Sequence, residues 1–389
     1  MIRKTIIAYF IFSLAVCYII TPWIFEKQFL FNEILAVTGF IILGYKRFKT
    51  GSDMISICMI FLLAWCGLHL ITSVFLNDSF IYYIRNAVIA YSMFSFFIGF
   101  YLLKYVGGYV KRIRNFLRYY IGFFLFVKTP MLFERYGVST LFPALFKNAR
   151  HALIPILLII INIIYAFTYQ SSTAMVIALF LFFLFISPGY KFFKQTFTVL
   201  FVAFLILFFY LHPNLSRIKN QFSTNNNKGI QEVMDSHPLL SVDGNTTWRL
   251  VIWDQILFDR FPKNLYGIGF GTPMLEYYPI EDPRKLKTLP YVLGGHNSYI
   301  YLFGRLGLVY LFIMLVIYTK IFKEYFYFKD VYYSNNQIFI FWGFFAITII
   351  ALFNPVLESP LFASAYWLLL GLTARCIYNR NTIEIKPAS

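Results

Sequence analysis

The chain is short of charge. Asp, Glu, Lys and Arg make up 13% of its 389 residues, about half the share of a soluble domain, which excludes an ordinary water-soluble fold. Acid is scarcer still, at 17 residues against 34 Lys and Arg, for a net charge of +17. The basic excess falls in short clusters between apolar runs. That is the pattern of cytoplasmic loops, not of a nucleic-acid surface. Cysteine is limited to Cys17, Cys58, Cys66 and Cys376. All four lie in or beside apolar runs without metal-ligand spacing, so neither disulfides nor zinc is indicated. No Asp-x-Asp pair and no metal-spaced His, Cys or Glu group occurs in an outward segment, which disfavours a metal-dependent lipid-sugar transferase. Repeats, heptads and low-complexity tracts are missing too. The short alternating segments of a membrane barrel are absent as well.

What is present is apolar and aromatic. Hydrophobic residues reach 59% and aromatics 22%, with 48 Phe. Runs long enough to cross ~30 Å of hydrocarbon as helices lie near 5–24, 29–45, 54–76, 84–105, 152–168, 172–188, 195–212, 298–320, 337–353 and 360–377. Basic clusters follow at Lys46-Arg47-Phe48-Lys49, Lys111-Arg112-Ile113-Arg114, Lys191 and Lys194, Lys320 and Lys323, and Arg375 and Arg380. Placed in the cytoplasm, they leave Asn77-Asp-Ser79 and Asn354-Pro-Val-Leu-Glu-Ser-Pro360 outside, and neither outward loop has a Lys or Arg. Parity then requires residues 118–147 to cross twice or not at all. Two crossings give an all-α polytopic protein of about twelve transmembrane helices with both termini cytoplasmic. Charges inside good spans are scarce, Glu33 being one.

One polar stretch, Pro213 to Asn297, interrupts this pattern. It divides the chain into a bundle at 1–212, a large outward loop at 213–297, and further spans with a short tail at 298–389. Within the loop, Trp248, Val251, Ile252, Ile256 and Leu257 recur at helical spacing after Asn245-Thr-Thr, a fitting N-cap. The spacing predicts an amphipathic helix bearing Arg249, Trp253, Asp254 and Arg260 and resting on the membrane surface. Arg249 suits bidentate contact with phosphate. Gly267-Ile-Gly-Phe-Gly271 neither follows a strand nor opens a clear helix, so it reads as a tight turn. His296 comes after Gly294-Gly295 and directly before a span, at headgroup height, and imidazole titrates where a general base is useful. His69, His151, His212 and His237 have no such setting.

Three segments resemble the O-antigen ligase and O-antigen polymerase superfamily of bacterial inner-membrane glycosyltransferases. Thr246-Thr-Trp-Arg-Leu-Val-Ile-Trp253, followed by Phe261-Pro-Lys-Asn-Leu-Tyr-Gly-Ile-Gly-Phe-Gly271, resembles the Arg, Trp and Gly-x-Gly stretch of that family's large periplasmic loop. Gly295-His-Asn-Ser-Tyr-Ile-Tyr-Leu-Phe-Gly-Arg-Leu-Gly307 resembles its His-Asn entry into the next helix. Tyr169-Gln-Ser-Ser-Thr-Ala174 stands where the family often has a Ser-Arg pair; here the pair is Ser171-Ser172. Polymerases vary more at that Arg than ligases, so the departure favours a polymerase, with Arg150 or Arg260 as a stand-in.

The resemblance implies transfer of a glycan from undecaprenyl diphosphate to an acceptor hydroxyl at the periplasmic face. The acceptor would be a second lipid-linked glycan for a polymerase, or lipid A–core for a ligase. It implies His296 and Arg249 as catalytic residues, and Arg260, Trp253, Asn297, Arg150 and Ser172 as substrate-binding residues. No metal or cofactor is expected. The expected partners are membrane lipids and a chain-length regulator protein, not nucleic acid. A flippase or transporter would call for pseudo-symmetric halves and ionisable groups inside several spans. The topology gives a direct expectation. A cysteine placed near Lys228 reacts with a membrane-impermeant thiol reagent in intact cells, and one near Lys111 does not; labelling at Lys111 alone would invert the arrangement.

Overall fold

A computed structural model describes residues 29–45, 54–76, 80–106, 189–223, 244–274, 295–335 and 337–384, with isolated residues between 176 and 184 and between 232 and 240. The expected spans at 5–24, 118–147 and 152–168, most of 172–188, and the candidate residues Arg150 and Ser172 lie outside the described residues. Every regular element among the described residues is helical. In chain order they are α1 (Phe29–Tyr45), α2 (Met54–Phe75), α3 (Phe80–Ser92), α4 (Ser95–Val106), α5 (Tyr190–Ser223), α6 (Gly244–Asp254), a π-helical turn (Gln255–Asp259), α7 (Lys263–Tyr266), α8 (Ser298–Ser334), α9 (Ile338–Phe353) and α10 (Pro360–Glu384).

Four described segments are long and apolar enough to cross a membrane: Met54–Phe75, Tyr83–Lys104, Tyr190–Gln221 and Ser298–Tyr332. Lipid cannot satisfy backbone polar groups, so a chain this apolar must close its hydrogen bonds within helices. At Met93–Phe97 the ladder tightens to i→i−3 bonds, Met93 N–H to Ala90 and Phe96 N–H to Met93, which joins α3 and α4 into one crossing. α9 is apolar all round and buries residues on every face, as a helix enclosed by others must. α5, by contrast, exposes Phe197, Val199, Leu200 and Ile206, the surface expected to meet lipid. α4 and α10 approach backbone to backbone. A Cβ added at Gly99 would lie 2.1 Å from the Leu368 carbonyl oxygen, and one at Gly371 would lie 2.0 Å from that of Phe96. Small residues at a crossing let helices pack this closely in a membrane.

The expected span starting at residue 298 is not a straight helix. Tyr299 and Tyr318 are 19 residues apart, ~28 Å along a straight α-helix, yet their rings lie 6.0 Å apart and Tyr318 Oη donates to Tyr299 Oη at 2.7 Å. The reversal is at Gly307, with φ 73° and ψ −164°. Residues 298–306 therefore form a short leg folded against the long leg that follows. The break exposes three carbonyls, and each is taken. Ile268 N–H donates to Gly304 O at 2.9 Å, Gly269 N–H to Arg305 O at 3.0 Å, and Trp65 Nε1–H to Leu306 O at 2.6 Å. The turn at Gly267–Gly271 thus straps the broken end of a helix.

Arg305 completes the strap from the side-chain end. Fully buried, it donates from Nη1 to the Gly269 and Thr272 carbonyls (2.9 and 2.5 Å) and from Nη2 to Tyr301 Oη (2.9 Å). Tyr301 in turn donates to Asn86, whose Nδ2 reaches the Phe270 carbonyl, while Phe270 N–H donates to Ser73. An arginine inside an apolar run was legible as a group needing partners, and the scarcity of charge read from the sequence passed over it. At the other end of α8, Glu324 binds Lys320 at 2.7 Å and Arg380 of α10 at 2.5 Å.

Gly307 tests this architecture. A Cβ there would meet the Leu265 carbonyl oxygen at 2.4 Å in a left-handed backbone, whereas one at Gly67 of α2 would meet nothing within 4 Å. Gly307→Ala should lower the unfolding temperature in detergent, with a cost of at least ~1–3 kcal/mol. Gly67→Ala should be neutral or stabilising by up to ~1 kcal/mol. Equal midpoints for the two variants would contradict the break.

Candidate functional site

The site begins with the length of α5. Its 34 residues extend ~51 Å, well beyond the ~30 Å of a hydrocarbon core. The helix runs through Pro213, where the polar stretch was expected to leave the bundle, and continues to Ser223. His212 and Lys219, seven residues apart, share one face of this extension. His212 Nδ1 lies 2.5 Å from Asp254 Oδ1, and Lys219 Nζ lies 3.9 Å from Asp254 Oδ2 and 2.6 Å from Asp259. Asp254 is fully buried. Burial raises its carboxyl above the usual range, and the His212 and Lys219 charges oppose that rise. His212 has no setting legible in the sequence because its partner lies 42 residues away.

This pairing corrects the expected placement of the amphipathic helix. α6 does not rest on a surface: Val251, Ile252, Trp253 and Asp254 are all buried, as are Gln255 and Ile256 in the π-helical turn. Its beginning is pinned by Thr247 Oγ1 donating to Leu240 O at 2.8 Å. Turns of π-helix recur at functional sites. Here the turn leads to Arg260, which donates from Nε to Met274 O at 3.0 Å and so belongs to the strap region.

α6 docks directly onto the entry to α8. Trp253 donates from Nε1 to Gly295 O at 2.8 Å, and the Trp248 ring stands edge-on to His296 with centroids 4.9 Å apart. Arg249, between them in sequence, donates from Nη1 to Phe353 O at the end of α9, at 3.2 Å. His296 has φ +49°, a left-handed conformation uncommon outside glycine. Asn297 spends its side-chain oxygen on the first turn of α8, accepting from the Tyr299 and Ile300 amides at 3.0 and 3.1 Å. It is the helix N-cap. Arg249, Trp253, His296 and Asn297 are thus brought together, and Arg260 joins a different group.

One residue of the site was not anticipated. Glu358, in the turn between α9 and α10, receives a 2.5 Å hydrogen bond from Ser298 Oγ. Ser298 Oγ also lies 3.1 Å from Asn354 O and accepts from the Leu357 amide at 3.0 Å, so the turn wraps around the first residue of α8. Burial pushes the Glu358 carboxyl up to about 7, while the Ser298 hydroxyl, the Gly295 amide and the Arg305 guanidinium act the other way. Glu358 is thereby tied to Ser298 and to Gly295, the residues on either side of His296-Asn297, and a carboxyl raised toward neutrality at such a place is a candidate for proton exchange. The available signal was a lone acid in an outward loop free of Lys and Arg.

Arg249 supplies a fixed cation, half-buried Trp248 an aromatic face, His296 an imidazole, and Glu358 a carboxyl raised to about 7. That set can bind an anionic group and activate a hydroxyl. Comparison with curated proteins and with solved structures gives no match. The family model described as O-antigen ligase matches residues 154–316, a stretch that holds α5, α6, the strap and the His296 entry to α8. Over residues 154–316 the chain is therefore similar to the O-antigen ligase family, in the same stretch that holds Arg249, Trp253 and His296 of the site.

Proposed function

We propose that this protein is a polymerase of surface polysaccharide at the periplasmic face of the bacterial inner membrane. It transfers a glycan from undecaprenyl diphosphate to the hydroxyl of a second lipid-linked glycan. The observation that carries the reading is the docking of Trp248 and Trp253 on Gly295 and His296, which holds Arg249 beside the α8 entry. In the transfer, the bond between the anomeric carbon and the diphosphate oxygen breaks as the acceptor oxygen bonds to that carbon. Arg249 neutralises charge gathering on the departing diphosphate. The acceptor proton passes to His296 or to the Glu358 carboxylate. Half-buried Trp248 offers a face to a sugar ring, while buried Trp253 holds the α8 entry in place.

The family description favours a second reading, ligation of the finished glycan to lipid A–core. Ser171-Ser172, where an arginine is usual, favours the polymerase. Complementation separates the two. Expression in a polymerase-null strain restores a ladder of repeat lengths under the first reading. Under the second, only a ligase-null strain is rescued.

Within whichever strain responds, Arg249→Ala removes a charge-assisted contact of ~1.5–3 kcal/mol, and His296→Ala lowers turnover by ~10²–10⁴. Because both serve one step, the double variant should be far less than additively worse. Membrane levels of each variant are checked by immunoblot, and a full ladder from His296→Ala at normal level would remove this histidine from the mechanism.

Glu358 gives a pH test independent of activity. Unfolded, the carboxyl ionises near its ordinary value of 4.5; folded, it ionises near 7. The native state therefore binds more protons between those values, so stability contributed by the protonated form is present below pH 4.5 and lost as pH rises to about 7. Thermal midpoints of the wild type should fall across that window relative to Glu358→Gln. Parallel curves would show the carboxyl to be an ordinary one.

A further inference from the structure

Beneath Glu358 the fold buries hydroxyls that lipid cannot satisfy. The fold-back at Gly307 brings Tyr299 of the short leg against Tyr318 of the long leg, and Tyr318 also bonds Tyr366 of α10. Tyr299 Oη donates to Thr348 O of α9 at 3.0 Å. These three tyrosines bind one another. Their neighbours do not complete the set. Tyr310 is fully buried, and among the described residues its Oη has no hydrogen-bond partner; the same holds for Thr348 Oγ1 and Glu358 Oε1. Tyr310 lies within electrostatic reach of both Tyr299 and Glu358, which places the orphans in one neighbourhood.

An unpaired buried hydroxyl costs ~1–3 kcal/mol, and inside hydrocarbon there is no water film to relieve it. Native interiors meet this situation with enclosed water, which takes about 3 hydrogen bonds from the polar atoms around it. The alternative, a dry void, is found where the lining is apolar. The orphaned groups here are hydroxyls and a carboxylate.

We propose that a water-filled chamber lies between the two legs of α8, α9 and α10, walled by Tyr299, Tyr310, Tyr318, Thr348 and Tyr366 and closed on the loop side by Glu358, and that its water exchanges protons with the Glu358 carboxyl. The proposal rests on the reading that Glu358 serves glycan transfer. After the acceptor O–H bond has broken and its proton has reached Glu358, the chamber water shares that proton through its hydrogen bonds until the departing diphosphate oxygen takes it from Glu358. The carboxylate is restored with no net change in the chamber. Tyr310 contacts no substrate; it is a positioning residue for this water.

Radiolytic hydroxyl-radical footprinting of the intact protein in detergent detects enclosed water directly, because radicals form from water already beside the side chain. Tyr310 and Tyr318 should be oxidised on the first exposures at a rate nearer that of exposed Tyr266 than that of Phe96 and Phe97, which are sealed in the apolar core. Tyr310→Phe should reduce oxidation of Tyr318 and lower turnover with KM unchanged. Tyrosines as silent as Phe96 would overturn the chamber. Oxidised tyrosines with full turnover in Tyr310→Phe would overturn the proton exchange. The footprint of inactive His296→Ala should equal that of the wild type, so failure of the transferase reading leaves a different record from failure of the chamber.

Discussion

A broken helix in a lipid-facing protein must find partners for the carbonyls it frees, and that constraint organises the rest of this molecule. Gly307 interrupts α8, and the Gly304, Arg305 and Leu306 carbonyls are met by the Ile268 and Gly269 amides and by the Trp65 indole. Satisfying those groups draws the Gly267–Gly271 turn down beside the helices and fixes the orientation of everything leading to it. Arg305 then reads the same turn from the side, with two carbonyls on one nitrogen. Backbone at membrane depth is tolerated when it is buried in protein, and here the burial is supplied by α2, α3 and the long leg of α8.

The site follows from this frame by contacts that span large distances in sequence. Arg249 reaches the end of α9, 104 residues on. Ser298 reaches Glu358, 60 residues on. Each of these contacts joins a residue of the polar stretch, or the first residue after it, to the end of α9 or the turn that follows it. The transfer proposed for this protein needs a cation, an aromatic face and a proton acceptor at one place; α6 carries the first two, and the third comes from the α8 entry and the α9–α10 turn. Most helix–helix contact in such a protein is dispersion between apolar side chains, so the few polar ties decide which faces meet.

Much of the architecture was legible because hydrocarbon imposes a length on apolar runs. The runs at 54–76 and 84–105 emerge as α2 and as the joined α3 and α4, and the Trp248-to-Leu257 periodicity emerges as α6 with its π-helical turn. What sequence patterns do not carry is depth. The same periodicity that predicts an amphipathic helix is silent on whether its polar side meets water or a buried partner, and Asp254 meets His212 and Lys219. Nor does hydropathy register direction: residues 298–320 score as one span although the chain turns back at Gly307, because a reversal between two apolar legs leaves their sum unchanged. Glu358 and Arg305 were visible as isolated charges, but their roles depend on partners whose proximity only the fold creates. Asn297 was read as a substrate ligand from its place beside His296, and its oxygen caps a helix.

α5 has a mechanical character that its contacts make explicit. One continuous rod carries a lipid-facing length at one end and, past Pro213, a buried ionic joint to Asp254 at the other. A rod longer than the bilayer is thick accommodates a thinner or thicker membrane by tilting. Tilt at the lipid end is displacement at the joint, and the joint is one residue from Trp253 and five from Arg249. The rod is thus a direct mechanical link between the lipid-facing surface and the helix that carries Arg249 and Trp253.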